Sequence, residues 1–135
     1  MNGPTTEAIL GYKVTNTGVA ASVDEIIKHM DLDRGSRWLA CINPHSYAEA
    51  VSQRSFAAAL READWLVPDG VGVVFASKLL SGSICERVTG SDIFHGVSQL
   101  LNERSGYRVF FLGATEETLA MIRCKMAVDY PNIEI

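Results

Sequence analysis

Short apolar runs alternate with helically spaced apolar stripes along this chain. Trp38 to Ile42 (WLACI), Trp65 to Val67 (WLV) and Tyr107 to Leu112 (YRVFFL) are too short for helices and read as buried strands, the last being the clearest. Ile9 to Val14 (ILGYKV) reads as another short strand and Ile133 to Ile135 as the opening of one more. Between the runs the spacing predicts a helix over Val23 to Met30, with Ser22 as N-cap and Glu25 three residues on, then a turn at Asp33-Arg34-Gly35-Ser36. A second helix is expected over Ser46 to Ala63, with Phe56, Ala59, Leu60 and Ala63 on one face. Val71 to Leu80 is apolar nearly all round and reads as a buried helix ending at Gly82. Ser91 is expected to cap a helix whose Ile93, Phe94, Val97, Leu100 and Leu101 share a face. Gly113-Ala114 turns the clearest strand into a last helix, capped by Thr115 and closed by Pro131. There Glu116 and Glu117 complement the helix dipole, and Leu119, Ile122 and Met126 form the stripe.

Strand and helix alternating in this way predict an α/β fold, Rossmann-like, with a mostly parallel sheet and flanking helices in a single domain. That domain spans 9–135, behind a loose N-terminus at 1–8. Ligands of such sheets bind at the carboxyl ends of the strands. Asn43, Asp69 and Gly113 stand at three strand ends and are expected along one crevice. A doubly wound sheet rarely finishes on a three-residue strand, so the sequence is expected to be part of something longer.

Composition narrows the function. The chain has 135 residues and a formal net charge of −4, with no global basic field, so nucleic acid is not expected as a partner. Cys41, Cys85 and Cys124 are odd in number and widely spaced, which argues against a disulfide framework and fits a reducing cytoplasm. The N-terminal MNGPTTEAILGYKV lacks the basic-then-apolar pattern of a signal peptide, and no apolar stretch reaches the roughly 18 residues of a membrane span. Any membrane contact is expected to be peripheral.

VPDGVGVVFA, residues 67–76, holds a lone carboxylate, Asp69, between a proline and two glycines. Asp69 has two readings: a general base at a strand end, with Gly70 and Gly72 letting a ligand approach the backbone, or the cap of an ordinary Pro-Asp-Gly turn. The second glycine, inside the helix start, costs about 1 kcal/mol relative to alanine, so close packing or ligand approach is needed to explain it. Asn43 in CINPHS is either a hydrogen-bonding amide for a substrate or a turn former; His45 reads as a surface residue and Cys41 as core. In ERVTGSD, residues 86–92, Arg87 either meets a diphosphate beside a helix N-terminus or pairs with Glu86 or Asp92. Gly113-Ala114-Thr115 resembles a phosphate turn but lacks the full G-x-G-x-x-G. That weakens a third reading, a dinucleotide-binding oxidoreductase. No D-x-D pair stands at a strand end to hold a metal-bound nucleotide sugar.

In order and spacing, VPDGVGVVFASKLL, ERVTGSDIF and GYRVFFLGATEETLAMIRCKMAVDYPNIEI resemble the WecG/TagA/CpsF glycosyltransferases, from about Leu10 almost to the last residue. The resemblance implies an inverting enzyme that uses no metal and no cofactor. Such an enzyme moves a sugar, often N-acetylmannosamine, from a UDP-sugar to a polyprenyl-diphosphate-linked acceptor at the cytoplasmic membrane face. It implies Asp69 as the base. Cys41 falls where the family has threonine, in a Thr-x-Asn strand end that places Asn43 in the site. Arg87, Gly90 and Asp92 fall on the Arg-x-x-Gly-x-Asp block. With no metal, the departing UDP needs positive charge or backbone donors, for which Arg87 and Gly113 are the candidates. Family members continue past this point with a further βα unit and a basic tail. The alternative is a non-catalytic nucleotide-binding α/β module or a truncated remnant. The apolar 71–80 helix leaves a homo-oligomer open.

Overall fold

A computed structural model describes residues 5–32 and 35–135. They fall into two compact units, divided between Ile93 and Phe94.

The first unit opens with a hairpin, β1 (Thr6–Ile9) against β2 (Tyr12–Thr15), where a single strand over Ile9 to Val14 was expected. Leu10 and Gly11, both at positive φ (52° and 82°), make the two-residue turn, the backbone pattern that matches the twist of paired strands. Of the expected loose end, residues 1–4 lie outside the described residues and Thr6 onward is strand.

Helix α1 (Val19–Leu32) starts four residues before the sequence suggested. Ser22 does not cap it: the residue is buried within the helix and its hydroxyl lies 2.8 Å from that of Thr17. Asp33 and Arg34 of the expected turn lie outside the described residues.

Strand β3 (Leu39–Ile42) pairs in parallel with β4 (Trp65–Pro68), Leu39 opposite Trp65 and Ile42 opposite Pro68. The connection is two helices, α2 (Pro44–Ser52) and α3 (Arg54–Glu62), not one. Gln53 breaks them with extended backbone (φ −118°, ψ 98°). Around it the hydroxyl of Ser52 and the backbone N–H of Gln53 both donate to the Glu49 carbonyl, the local competition by which serine ends helices.

Helix α4 (Val71–Leu79) follows β4 directly. It is not buried all round: Val73 and Ser77 face inward while Val71, Phe75 and Leu79 are exposed. The core gathers Ile9, Tyr12, Val14, Ile42, Ala50, Ala57, Leu60, Leu66 and Val73 from both strand pairs and helices α2 to α4, with Ile84 from the segment after α4.

Side-chain hydrogen bonds to Thr15 and Glu7 help tie the hairpin in. Thr15 Oγ1 accepts from the Leu66 N–H at 3.2 Å, so a side chain takes a backbone donor of β4. Glu7 accepts from the Ser77 hydroxyl and from the backbone N–H groups of Ser83 and Ile84.

Helix α5 (Gly90–Arg104) begins in the first unit. Its start is stapled by Thr89 and Asp92, not Ser91. The Asp92 N–H donates to Thr89 Oγ1 at 3.0 Å, and Asp92 Oδ2 accepts from the Thr89 N–H at 3.1 Å.

In the second unit α6 (Glu116–Asp129) is capped as expected, with Thr115 Oγ1 accepting from the Thr118 N–H and Met126 buried. Residues 107–112 are not a strand. They make one parallel bridge, Arg108 to Glu134, with Val109 N–H to Glu134 O at 2.8 Å and Glu134 N–H to Tyr107 O at 3.0 Å. The fold is therefore mixed α/β. Among the described residues its sheets are two two-stranded pairs, one antiparallel and one parallel, and the larger, mostly parallel sheet is not formed. A strand needs partners for its N–H and C=O groups, and 107–112 meets only the short 133–135 stretch within its unit.

Candidate functional site

The parallel pair carries Asn43 and Asp69 to adjacent strand ends: Asn43 follows Ile42, and the Asp69 N–H donates to the Ile42 carbonyl at 2.9 Å. The crevice beyond those ends is where a parallel sheet offers a ligand site.

Asp69 is half-buried and does not cap α4. The N-cap is Gly70 (φ 115°), with no side-chain cap hydrogen bond, and no donor among the described residues holds the Asp69 carboxylate. The ordinary-turn reading thus loses its cap. A carboxylate left open at a strand end is available to take a proton from a bound hydroxyl.

Both glycines have structural reasons. Gly70 adopts a backbone conformation that L side chains rarely take, and a Cβ at Gly72 would stand 2.5 Å from Pro44 Cγ. Close packing of α4 on the start of α2 therefore accounts for the second glycine.

Asn43 caps α2. Its Oδ1 accepts from the Ser46 N–H at 2.9 Å, and Ser46 Oγ accepts from the Asn43 N–H at 2.8 Å, a reciprocal box. The cap uses the amide oxygen. Among the described residues nothing accepts from Nδ2, which leaves a donor for a ligand.

Cys41 joins the third block to the first two. Burial pushes its thiol pKa up and the Asp69 charge pushes it further, while the Gly90 N–H, donating to sulfur, opposes them. A Cβ on Gly90 would lie 3.1 Å from Cys41 Sγ, so Gly90 is held to the strand end by contact. A raised thiol is neutral near pH 7 and a poor nucleophile, in keeping with a packing role.

Val88 N–H donates to Pro68 O at 3.0 Å, running residues 85–88 past the end of β4. Arg87 is exposed there and pairs with neither Glu86 nor Asp92 among the described residues. With Val71, Gly72, Val74, Phe75, Lys78 and Cys85 it lines a groove of about 600 Å³. Lys78 is the residue that sequence reasoning missed; its signal is that it is the lone charge in the apolar 71–80 run.

The structure thus brings Cys41, Asn43, Asp69, Gly70, Gly72, Arg87, Gly90 and Asp92 together in the first unit, with Asp92 in a capping role. Gly113 (φ 113°) belongs to the second unit. Among the described residues no cluster of three or more His, Cys, Asp or Glu side chains is placed to hold a metal ion.

The family sequence model for "Glycosyl transferase WecG/TagA/CpsF family" matches residues 7–135. The chain belongs to the WecG/TagA/CpsF family. It is 27% identical over 130 residues to the N-acetylglucosaminyldiphosphoundecaprenol N-acetyl-beta-D-mannosaminyltransferase of Bacillus subtilis (strain 168), covering 96% of this chain and 50% of that protein. The proteins of the same name from Bacillus spizizenii and Staphylococcus aureus (strain NCTC 8325) are 33% identical over 107 residues and 26% over 126. Those matches cover 79% and 93% of this chain and 41% and 49% of the relatives. The chain spans about half the length of the curated relatives it matches. This WecG/TagA/CpsF chain contains no helix, among the described residues, long and apolar enough to cross a membrane.

Proposed function

We propose that this chain carries the base and part of the substrate site of an inverting, metal-independent glycosyltransferase. The donor is a UDP-sugar, with N-acetylmannosamine or glucose as the sugar moved, and the acceptor is a sugar on a polyprenyl diphosphate. The observation that carries the reading is the Asp69 carboxylate, half-buried at the end of β4 and held by no donor among the described residues. The relatives' names supply the acceptor class and the mannosaminyl group.

Asp69 takes the proton of the acceptor hydroxyl as its oxygen forms a bond to the anomeric carbon. The bond from that carbon to the UDP oxygen breaks on the opposite face, which inverts the centre. Asn43 Nδ2 donates to a substrate oxygen. Arg87 meets diphosphate charge. Cytoplasmic placement with peripheral membrane contact, and a Rossmann-like, mostly parallel sheet, belong to the same proposal.

Transfer of radiolabelled sugar from UDP-N-acetylmannosamine and UDP-glucose to a short-chain polyprenyl-diphosphate-GlcNAc acceptor tests it, with EDTA present. The expected result is transfer by the wild type and its loss in Asp69→Asn. Normal transfer by the variant removes Asp69 as the base. A second reading rests on the half-length match to the relatives: a nucleotide-binding module without turnover, for which UDP binds and no sugar moves, even when the chain is extended to its relatives' length.

A further inference from the structure

The groove beside the Asp69 loop has two kinds of wall. Lys78 and Arg87 bring two positive charges, in a chain whose net charge is −4, and neither has an ion-pair partner among the described residues. The rest of the lining is Val71, Gly72, Val74, Phe75 and the Cys85 thiol. On the same helix Val71, Phe75 and Leu79 recur every fourth residue and are 75%, 68% and 74% exposed. That stripe is about 12 Å long at 1.5 Å per residue. Exposed apolar side chains aligned on one helix face beside two cations offer a docking surface for an amphipathic ligand.

Both substrates of the proposed reaction carry a diphosphate, so two cations alone do not say which one they meet. What each carries besides its sugar does. The donor's is a nucleoside, dense in hydrogen-bonding groups, for which valine and phenylalanine walls offer few partners. The acceptor's is an isoprenoid chain with none. We propose that this groove belongs to the acceptor. Lys78 and Arg87 hold its diphosphate, and the first isoprene units lie along Val71, Phe75 and Leu79. Naming the lipid rests on the glycosyltransferase reading, but binding is measured without turnover, so the two fail separately. Transfer lost with binding intact counts against the function alone; binding absent with transfer intact counts against the groove alone.

Cys85 lines the groove and is exposed, while Cys124, also exposed, lies on α6 in the second unit. Their alkylation rates, followed by mass spectrometry on the full chain, therefore report on the groove with an internal control. Farnesyl diphosphate is expected to slow Cys85 about tenfold and leave Cys124 unchanged. UDP, inorganic pyrophosphate and farnesol at the same concentration are each expected to change Cys85 less than twofold. Phe75→Ser is expected to raise the farnesyl diphosphate needed for half-protection about tenfold, the scale of one lost aromatic contact. Lys78→Gln is expected to raise it as well. Both side chains project from the surface side of α4, and a thermal melt checks that each variant is folded.

Equal protection by UDP assigns the groove to the donor and overturns the proposal. Equal protection by farnesol removes the role of the cations and overturns it too. So does no protection by any compound. A wild-type dimer by sedimentation that Phe75→Ser dissociates, with farnesyl diphosphate protection unchanged, makes the stripe a contact between copies and also overturns it.

Discussion

Residues 65–68 in the first unit and 107–112 in the second are both short and apolar. The first pairs with β3 along its whole length, is buried at every position, and delivers Asp69 to a crevice. The second has one bridge, with Phe110 and Leu112 85% and 92% exposed. The difference lies not in the residues, since YRVFFL is the richer in strand formers, but in what each meets. β4 has a parallel neighbour, the Thr15 side chain against its Leu66 N–H, and an apolar core on its side chains. Strand propensity measures fit to such surroundings more than a preference of the backbone alone.

The largest test of this contrast is at the end of β4. Asp69→Asn is expected to lower sugar transfer by at least about 100-fold, the low end for loss of a general base, while leaving the melting temperature within error, because no hydrogen bond is lost. A variant that melts early makes Asp69 structural instead. Next come two leucines. Leu66→Ala, in the buried strand, is expected to cost about 2–5 kcal/mol in urea unfolding. Leu112→Ala, at the exposed run, is expected to stay within about 0.5 kcal/mol. Equal losses erase the comparison.

A smaller effect is expected at Gly72. Gly72→Ala forces a carbon against Pro44 and is expected to cost about 1–3 kcal/mol by denaturant midpoint, the range for overpacking. The smallest effect is electrostatic. The Ser77 hydroxyl, with the backbone and hydroxyl of Ser83 and the Ile84 N–H, holds the Glu7 carboxyl below its ordinary value despite the opposing cost of burial. A depressed folded-state pKa stabilises the fold fully above the unfolded value, about 4.3, and that contribution is lost as pH falls through the folded value. Glu7→Gln is therefore expected to flatten the acid limb of stability against pH below about 4.3. An unchanged limb shows that the carboxylate contributes nothing there.

Much of the candidate site is legible because its residues sit at element boundaries, which sequence marks with Asn-Pro, Pro-Asp-Gly and Thr-Gly-Ser-Asp. Helix α6 and its Thr115 cap were legible for the same reason. The Leu10-Gly11 turn was not, since leucine at positive φ has no signature in composition. The break at Gln53 was missed because serine competition for the Glu49 carbonyl hides inside an otherwise helical pattern. Lys78 went unnoticed as the single charge of an apolar run, and the 107–112 stretch was over-read because pairing depends on residues far along the chain. The role of Gly72 is not legible in sequence, because its neighbour Pro44 lies 28 residues away along the chain.

That last contact has a further consequence. Pro44 follows the amide of Asn43, and Gly72 follows the acid of Asp69 by three residues, so the hydrogen in place of a methyl at 72 acts as a spacer between the two halves of the crevice. One more carbon at 72 would press the start of α4 against the start of α2. The gap between those two helix starts is thus gauged by an atom that is absent, and van der Waals contact between Gly72 and Pro44 sets it.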